Sequence, residues 1–268
     1  MKILIVGLGS MGKRRARLTK GIDSSIRIAG VDTAESRRAE ATDLGLIDAA
    51  YPSIAEAVAA EAPDAALVCT APLTHAAIIS ELLDNSLPVF TELNLVADGY
   101  EENMAKAKEK GVLLFLSSTM LYRRETQYIK QQVAAFGKPV HYIYHIGQYL
   151  PDWHPWENYK NFFVGNARTG GVREIFGIDL PWLLDAFGDG LHLFWEGNPK
   201  ALYEFKNGDK QFVDTYTSFE HDNRYSDNIV ENAYVDELTN FFACLRGEET
   251  SRWSFEQDLA AIRIMDKT

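Results

Sequence analysis

The chain opens with Lys2-Ile3-Leu4-Ile5-Val6 and passes at once into Gly7-Leu8-Gly9-Ser10-Met11-Gly12. This junction constrains the fold more than any other stretch. A short apolar run ended by glycine predicts a buried strand, and the pattern over Met11–Lys20 predicts a helix directly after it. Between strand and helix the three glycines take separate tasks. Gly7 permits a tight turn, Gly9 lets the backbone come close to a ligand, and Gly12 lets the helix press against the strand. The first N–H groups of such a helix, around Ser10 and Met11, lack carbonyl partners within the helix and suit a phosphate. Asp32 follows 20 residues after Gly12, at the end of the predicted strand Ile26–Val31. A carboxylate at that place accepts hydrogen bonds from ribose hydroxyls. The spacing therefore predicts a dinucleotide site formed by Gly7, Gly9, Ser10, Met11, Gly12 and Asp32. Because Asp32 repels a 2′-phosphate, NAD is expected in preference to NADP. Arg37 and Arg38 stand close by. Either can reach a phosphate, and Arg37 can instead stack on adenine.

The alternation continues to about Ser118. Strands are predicted at Ala65–Cys69, Val89–Thr91 and Val112–Leu116, with helices near Glu35–Asp43, Ile54–Ala60, His75–Asp84 and Tyr100–Lys110. Apolar strands joined by helices pair in parallel and need helices on both faces, so residues 1–118 read as a doubly wound α/β Rossmann domain. Residues 119–268 read as a second, α+β domain. Helices are expected at Glu125–Phe136 and around Leu180–Phe187, a long strand at Val140–Leu150 and an aromatic loop at Pro151–Phe163. Strands near Leu191–Trp195, Ala201–Phe205 and Gln211–Phe219 follow, with Asn207-Gly208 as a hairpin turn. Two helices end the sequence, one carrying Val235, Leu238, Phe242 and Leu245 on a single face and one starting near Ser254.

Lys and Arg number 27 against 38 Asp and Glu, a formal net charge of −11. Such a surface repels phosphate backbones and anionic lipid, which argues against nucleic-acid or membrane partners. The clusters Lys13-Arg14-Arg15 and Arg123-Arg124 are long enough only to meet a local anion. Cys69 and Cys244 lack metal-ligand spacing and read as reduced thiols of a cytoplasmic protein. Glycines interrupt the first apolar run too early for a signal peptide, and no stretch approaches the length of a membrane span. His141 and His145 share one face of a predicted strand, but no carboxylate completes a metal set. No metal site is expected.

With these residues in place, the sequence resembles the Gfo/Idh/MocA oxidoreductases over most of its length. The likeness rests on Gly7–Arg15, on Val68-Cys69-Thr70-Ala71-Pro72-Leu73-Thr74-His75, and on Tyr234-Val235-Asp236-Glu237-Leu238 with Cys244-Leu245-Arg246-Gly247 after it. It implies a Rossmann domain followed by a mostly antiparallel sheet domain, and homo-oligomers joined through the second sheet. It also implies NAD(P)-linked redox chemistry on sugars or similar polyols. Cys69, Thr70, Pro72 and His75 would line the nicotinamide side, with Glu92 at the end of the fifth strand.

The resemblance breaks where the chemistry should be. The family carries Glu-Lys-Pro at the end of the fifth strand, and this chain has Glu92-Leu93-Asn94. Leu93 can carry neither proton nor charge. The family's catalytic histidine, expected soon after Gly170-Gly171, is also missing from Val172–Asp179. Each such group contributes roughly 10²–10⁴-fold to rate. Candidate replacements are His154, Glu157 and Tyr159, in a loop that fits equally a substrate wall or an aromatic plug at the domain junction. Arg123 is a candidate substrate contact, and with Arg168 it suits an anionic sugar derivative. Arg173, Glu174 and Asp179 fit either a structural ion pair or catalysis. The expectation is an NAD-dependent oxidoreductase acting on a sugar or sugar derivative. Its rival is a non-catalytic NAD-binding sensor or scaffold.

Gly9→Val should place a branched side chain where the pyrophosphate must approach. Loss of cofactor binding in a titration, with an unchanged circular-dichroism spectrum, is the expected outcome. Undiminished binding would show that the glycines serve another purpose.

Overall fold

Alternating apolar runs and helical patterns fold into a single parallel sheet. Its strands are β1 (Lys2–Val6), β2 (Arg27–Val31), β3 (Ala49–Tyr51), β4 (Ala65–Val68), β5 (Val89–Thr91) and β6 (Leu114–Leu116). They are connected in turn by α1 (Ser10–Ile22), α2 (Glu35–Asp43), α3 (Ile54–Glu61), α4 (Pro72–Asp84) and α5 (Tyr100–Lys110). The computed structural model describes residues 1–136, 158–184, 193–196, 201–206, 209–216, 218, 220–222 and 229–267. Beyond β6 come a 3-10 turn (Thr119–Tyr122), α6 (Arg124–Phe136) and two further 3-10 turns (Tyr159–Asn161 and Phe163–Gly165). Next are α7 (Val172–Leu184) and the antiparallel sheet of β7 (Leu193–Trp195), β8 (Leu202–Lys206) and β9 (Asp209–Phe212). The helices α8 (Glu231–Leu245) and α9 (Phe255–Met265) follow. The chain is thus an α/β Rossmann domain with an α+β part after it.

The register explains where a ligand can bind. The sheet order is β3-β2-β1-β4-β5-β6. Tyr51, Val31, Val6, Val68, Thr91 and Leu116 are partners across the sheet, so all six strands end on one line. The chain moves outward from β1 to β3 and then returns to the other side of β1. This reversal opens a crevice at the carboxyl ends of β1 and β4, where open α/β sheets bind ligands.

Three expectations need correction. β3 is an additional edge strand, and Ala49-Ala50-Tyr51 is too short to show a period of two. α7 begins at Val172 rather than near Leu180, directly after Gly171 in the left-handed region at φ +58°. The buried acids Glu174 and Asp179 break the apolar pattern that would mark a helix from sequence. β9 ends at Phe212 instead of reaching Phe219, because β8 begins at Leu202 and offers no ladder beyond it. The expected strand Val140–Leu150 and residues 151–157 of the aromatic loop lie outside the described residues, as do Asn207 and Gly208.

The last two helices pack back on the first sheet. Phe90 and Phe115 stack with centroids 5.3 Å apart, and Phe241 of α8 meets each of them edge-on at 5.4 Å. Ser254 caps α9 in a reciprocal pair with Gln257. Asp258, one turn in, accepts hydrogen bonds from Tyr100 of α5 and from Trp253 Nε1 at 3.1 Å. Burial pushes its carboxyl up to about 6 despite both bonds.

Arg15 lies at the centre of this packing and is 0% exposed. Its Nε donates to Glu92 Oε1 at 2.5 Å, and its Nη2 donates to Glu237 Oε2 at 2.6 Å and Ser117 Oγ at 3.2 Å. The guanidinium also sits over the rings of Phe90 and Tyr234, at 4.7 and 5.1 Å. Burial acts to lower the Arg15 pKa, but Glu92 and Glu237 outweigh it and the group stays charged. One side chain therefore ties α1, the end of β5 and α8 together. Arg15→Met should cost about 3–5 kcal/mol in urea unfolding, because it strands buried carboxylates. Arg15→Met combined with Glu237→Leu should recover part of that. A loss below about 1 kcal/mol in the single variant would mean that the ion pair is dispensable.

Candidate functional site

The glycines form a cradle with one open side. Gly7 adopts φ +93°, and a Cβ there would lie 2.7 Å from the Cys69 carbonyl oxygen. At Gly12 a Cβ would lie 1.8 Å from the Gly7 carbonyl oxygen, so α1 can approach β1 only because no side chain intervenes. At Gly9 a Cβ would meet nothing within 4 Å. Gly9 is also the N-cap of α1, and no side chain caps that end. The helix thus presents backbone N–H groups of its first turn, those of Met11 and Gly12 among them, beside open space, as an anion requires.

Asp32 stands next to that space. Its Oδ2 accepts from the Leu8 N–H and its Oδ1 from the Ala34 N–H, each at 2.9 Å. These bonds fix a buried carboxylate at the end of β2. Arg37, largely exposed, approaches Asp32 Oδ2 to 3.6 Å, and Arg38 Nη1 donates to the Asp32 carbonyl at 2.6 Å. The open cradle, the uncapped helix and the anchored acid fit a dinucleotide.

At the ends of β4 and β5 the predicted residues also converge. Cys69 is a buried free thiol whose pKa burial pushes well up. Pro72 occupies the first turn of α4, and Thr74 Oγ1 donates to Thr70 Oγ1 at 2.8 Å. His75 is 1% exposed, with Nε2 2.9 Å from the Thr70 carbonyl and Nδ1 2.6 Å from Asn94 Oδ1. Burial lowers its pKa, so the ring is neutral and carries one N–H. A carbonyl can only accept, which puts that hydrogen on Nε2. Nδ1 is then an acceptor, which the Thr91 hydroxyl 3.3 Å away can satisfy, as can Asn94 once its amide is turned over to present Nδ2. The same rotation moves Nδ2 out of a buried place where it has no partner. Asn94, standing where the resemblance implies proline, thus orients His75 together with the Thr70 carbonyl and the Thr91 hydroxyl. Glu92 is held by Arg15, and Leu93, partly exposed, packs against Gly177 of α7.

The second half supplies a less uniform set. Arg123 is buried against Glu125, 3.1 Å away, and stacks over Trp195. Tyr159 is half-buried, with the Lys160 ammonium 5.9 Å from its ring centre. Arg168 pairs with Asp98 at 2.7 Å, and Arg173 pairs with Asp266 and donates to the Leu95 carbonyl at 2.5 Å. His154 and Glu157 lie outside the described residues. Among the described residues no group of three or more His, Cys, Asp or Glu could hold a metal. The basic cluster at the start of α1 is taken up by protein carboxylates: Lys13 pairs with Glu40, and Arg14 lies 4.0 Å from Glu231. Arg15 and Glu237 fall within the stretches that carry the resemblance, and Asn94 where it breaks, but nothing local in those stretches tells their structural roles. Only their long-range partners reveal them.

The tautomer of His75 can be checked directly. Nitrogen-15 NMR at about pH 7.5 should show a neutral Nε2–H ring, which Asn94→Ala should disturb. A ring protonated at that pH would contradict the arrangement.

Residues 1–118 match the family model described as oxidoreductase family, NAD-binding Rossmann fold, GFO_IDH_MocA. A myo-inositol 2-dehydrogenase of Thermotoga maritima is 29% identical over 143 residues, which are 52% of this chain and 43% of that enzyme. The match thus spans less than half of the relative's length. An NAD-binding oxidoreductase from Klebsiella pneumoniae has a TM-score of 0.72 at 14% identity, over 99% of this chain and 95% of that one. An oxidoreductase from Agrobacterium radiobacter, solved with NAD+, L-tartaric acid and magnesium, has a TM-score of 0.71 at 12% identity, over 99% and 94%. At such identities these likenesses speak for the fold, and they cover both of its parts. Residues 1–118 are thus similar to the NAD-binding Rossmann fold of the Gfo/Idh/MocA oxidoreductase family, and the solved structures share the two-part fold of the whole chain.

Proposed function

We propose that the protein is an NAD-dependent oxidoreductase that transfers a hydride to or from a carbinol or carbonyl carbon of a sugar or sugar-like polyol. The open space at Gly9, between an uncapped helix N-terminus and the anchored Asp32, carries this reading. Gly7, Gly9, Ser10, Met11 and Gly12 would hold the pyrophosphate, Asp32 the adenosine ribose and Arg37 the adenine side. Cys69, Thr70, Pro72, His75 and Glu92 would form the nicotinamide side. The bound cofactor supplies a ring carbon that takes up or releases hydride. The chain's own residues hold and shield it. Arg15 fixes Glu92, Asn94 fixes His75, and Leu93 offers an apolar surface that keeps water away.

The polyol class is supported by the Thermotoga maritima relative, whose name is myo-inositol 2-dehydrogenase. Residues 119–268 would contact the substrate and, through the β7–β9 sheet, a second copy of the chain. The cytoplasm suits the free thiols. Among the described residues no helix is long and apolar enough to cross a membrane. Leu93 favours a second reading, a protein that binds NAD as a sensor or scaffold without turning over.

Calorimetric titration of NADH and NADPH decides the cofactor. NADH should bind more tightly, and Asp32→Ala should narrow the gap. Equal or tighter NADPH binding by the unaltered protein would overturn the NAD assignment. Incubation of the NAD-loaded protein with inositols, aldohexoses and uronic acids should yield reduced cofactor with at least one of them. No reduction with any, and no oxidation of NADH by the matching ketones, would leave the non-catalytic reading.

A further inference from the structure

We propose that Glu174 is the acid/base residue of this site, contacting the reacting hydroxyl in place of the lysine that Leu93 replaces. The assignment rests on the oxidoreductase reading. Glu174 lies in the first turn of α7 and is 8% exposed. Its Oε2 is enclosed, with no hydrogen-bond partner among the described residues. A buried carboxyl without a partner is costly and calls for an explanation.

The helix that carries it is docked on the end of β5. A Cβ at Gly177 would lie 2.8 Å from Leu95 Cδ2 and 3.5 Å from Leu93 Cδ1, so α7 approaches these side chains closely and a larger residue there would push them aside. Arg173 fastens the same turn by donating to the Leu95 carbonyl. Glu174 is three residues before Gly177 and therefore shares its helix face, one turn away, about 5 Å along the axis. That face looks onto the segment beside which the nicotinamide would lie.

The surroundings suit proton exchange. Burial pushes the Glu174 carboxyl up to about 8, and no charged neighbour contributes. The ionisable groups on elements packed against it are engaged elsewhere. Arg173 holds Asp266, Asp258 is held by Tyr100 and Trp253, and Tyr122 donates to Asn240. Asp179, on the same helix, is buried. A carboxyl near 8 can give or take a proton at neutral pH. When a carbinol is oxidised, its O–H bond breaks and the proton passes to the Glu174 carboxylate. Its C–H bond breaks as well, and that hydrogen leaves with both electrons for NAD+. Reduction of the carbonyl reverses both transfers.

The test compares the unaltered protein with Glu174→Gln and Glu174→Asp, using His154→Ala and Tyr159→Phe as comparators. Turnover is read with NAD+ and a panel of myo-inositol, aldohexoses and their uronic acids. Glu174→Gln should lower turnover by about 10²-fold or more with NADH affinity unchanged, and Glu174→Asp should recover part of it. A second readout needs no cofactor. A carboxyl raised from 4.5 to about 8 in the fold contributes stability that is present below about pH 4.5 and lost as pH rises through about 8. Glu174→Gln should therefore melt increasingly above the unaltered protein as pH rises from about 4.5 to about 8, with the difference levelling off beyond that. Turnover of Glu174→Gln within threefold of the unaltered protein, or a melting difference that does not change with pH, would overturn the assignment and leave the oxidoreductase reading intact. An unaltered protein that binds NAD but turns over nothing in the panel would overturn both.

Discussion

Arg15 is the interaction on which the rest of the molecule depends. It belongs to the helix whose N-terminus faces the open cradle, yet its charge is neutralised by Glu92 at the end of β5 and by Glu237 of α8. A buried cation with two carboxylates has few alternatives, because any displacement leaves a charge without water or partner. The position of the cradle relative to the second part of the chain is therefore set by electrostatics as much as by apolar packing. Phe241, edge-on to Phe90 and Phe115, supplies the apolar complement directly beside it.

This arrangement changes what Glu92 does. The resemblance alone makes it a cofactor contact, whereas the structure gives one of its oxygens to Arg15 at 2.5 Å. Glu92 is one end of a buried network that runs through Arg15 to Glu237. Asn94 has an equivalent role for His75, whose neutral ring bridges the end of β4 and the segment after β5. Two of the three residues in Glu92-Leu93-Asn94 are thus committed to holding the site in shape. Leu93 leaves its middle apolar, and α7 packs directly against it at Gly177.

Much of the cradle was legible in the sequence because its determinants are local. Gly7, Gly9 and Gly12 act through backbone conformation within one turn, and Asp32 follows at a distance fixed by one βαβ unit. The parallel sheet was legible for the same reason, since each apolar run between helices carries its own signal. The parts that were not legible depend on partners far along the chain. Arg15 and Glu237 are 222 positions apart, and either looks like an ordinary surface charge when read alone. The periodicity points to a start of α7 near Leu180 because the buried acids Glu174 and Asp179 interrupt its apolar face before that point. Local rules fail where the site departs from ordinary folding requirements.

The central claim is that the cradle serves hydride transfer rather than binding alone. Isotope transfer tests it most directly. The purified protein would be incubated with NAD+ and a pool of carbon-deuterated inositols and aldoses, and the recovered cofactor examined by mass spectrometry. The account predicts deuterium in the reduced nicotinamide ring. Cofactor bound with normal affinity but recovered without label, from every deuterated polyol and sugar in the pool, would contradict it.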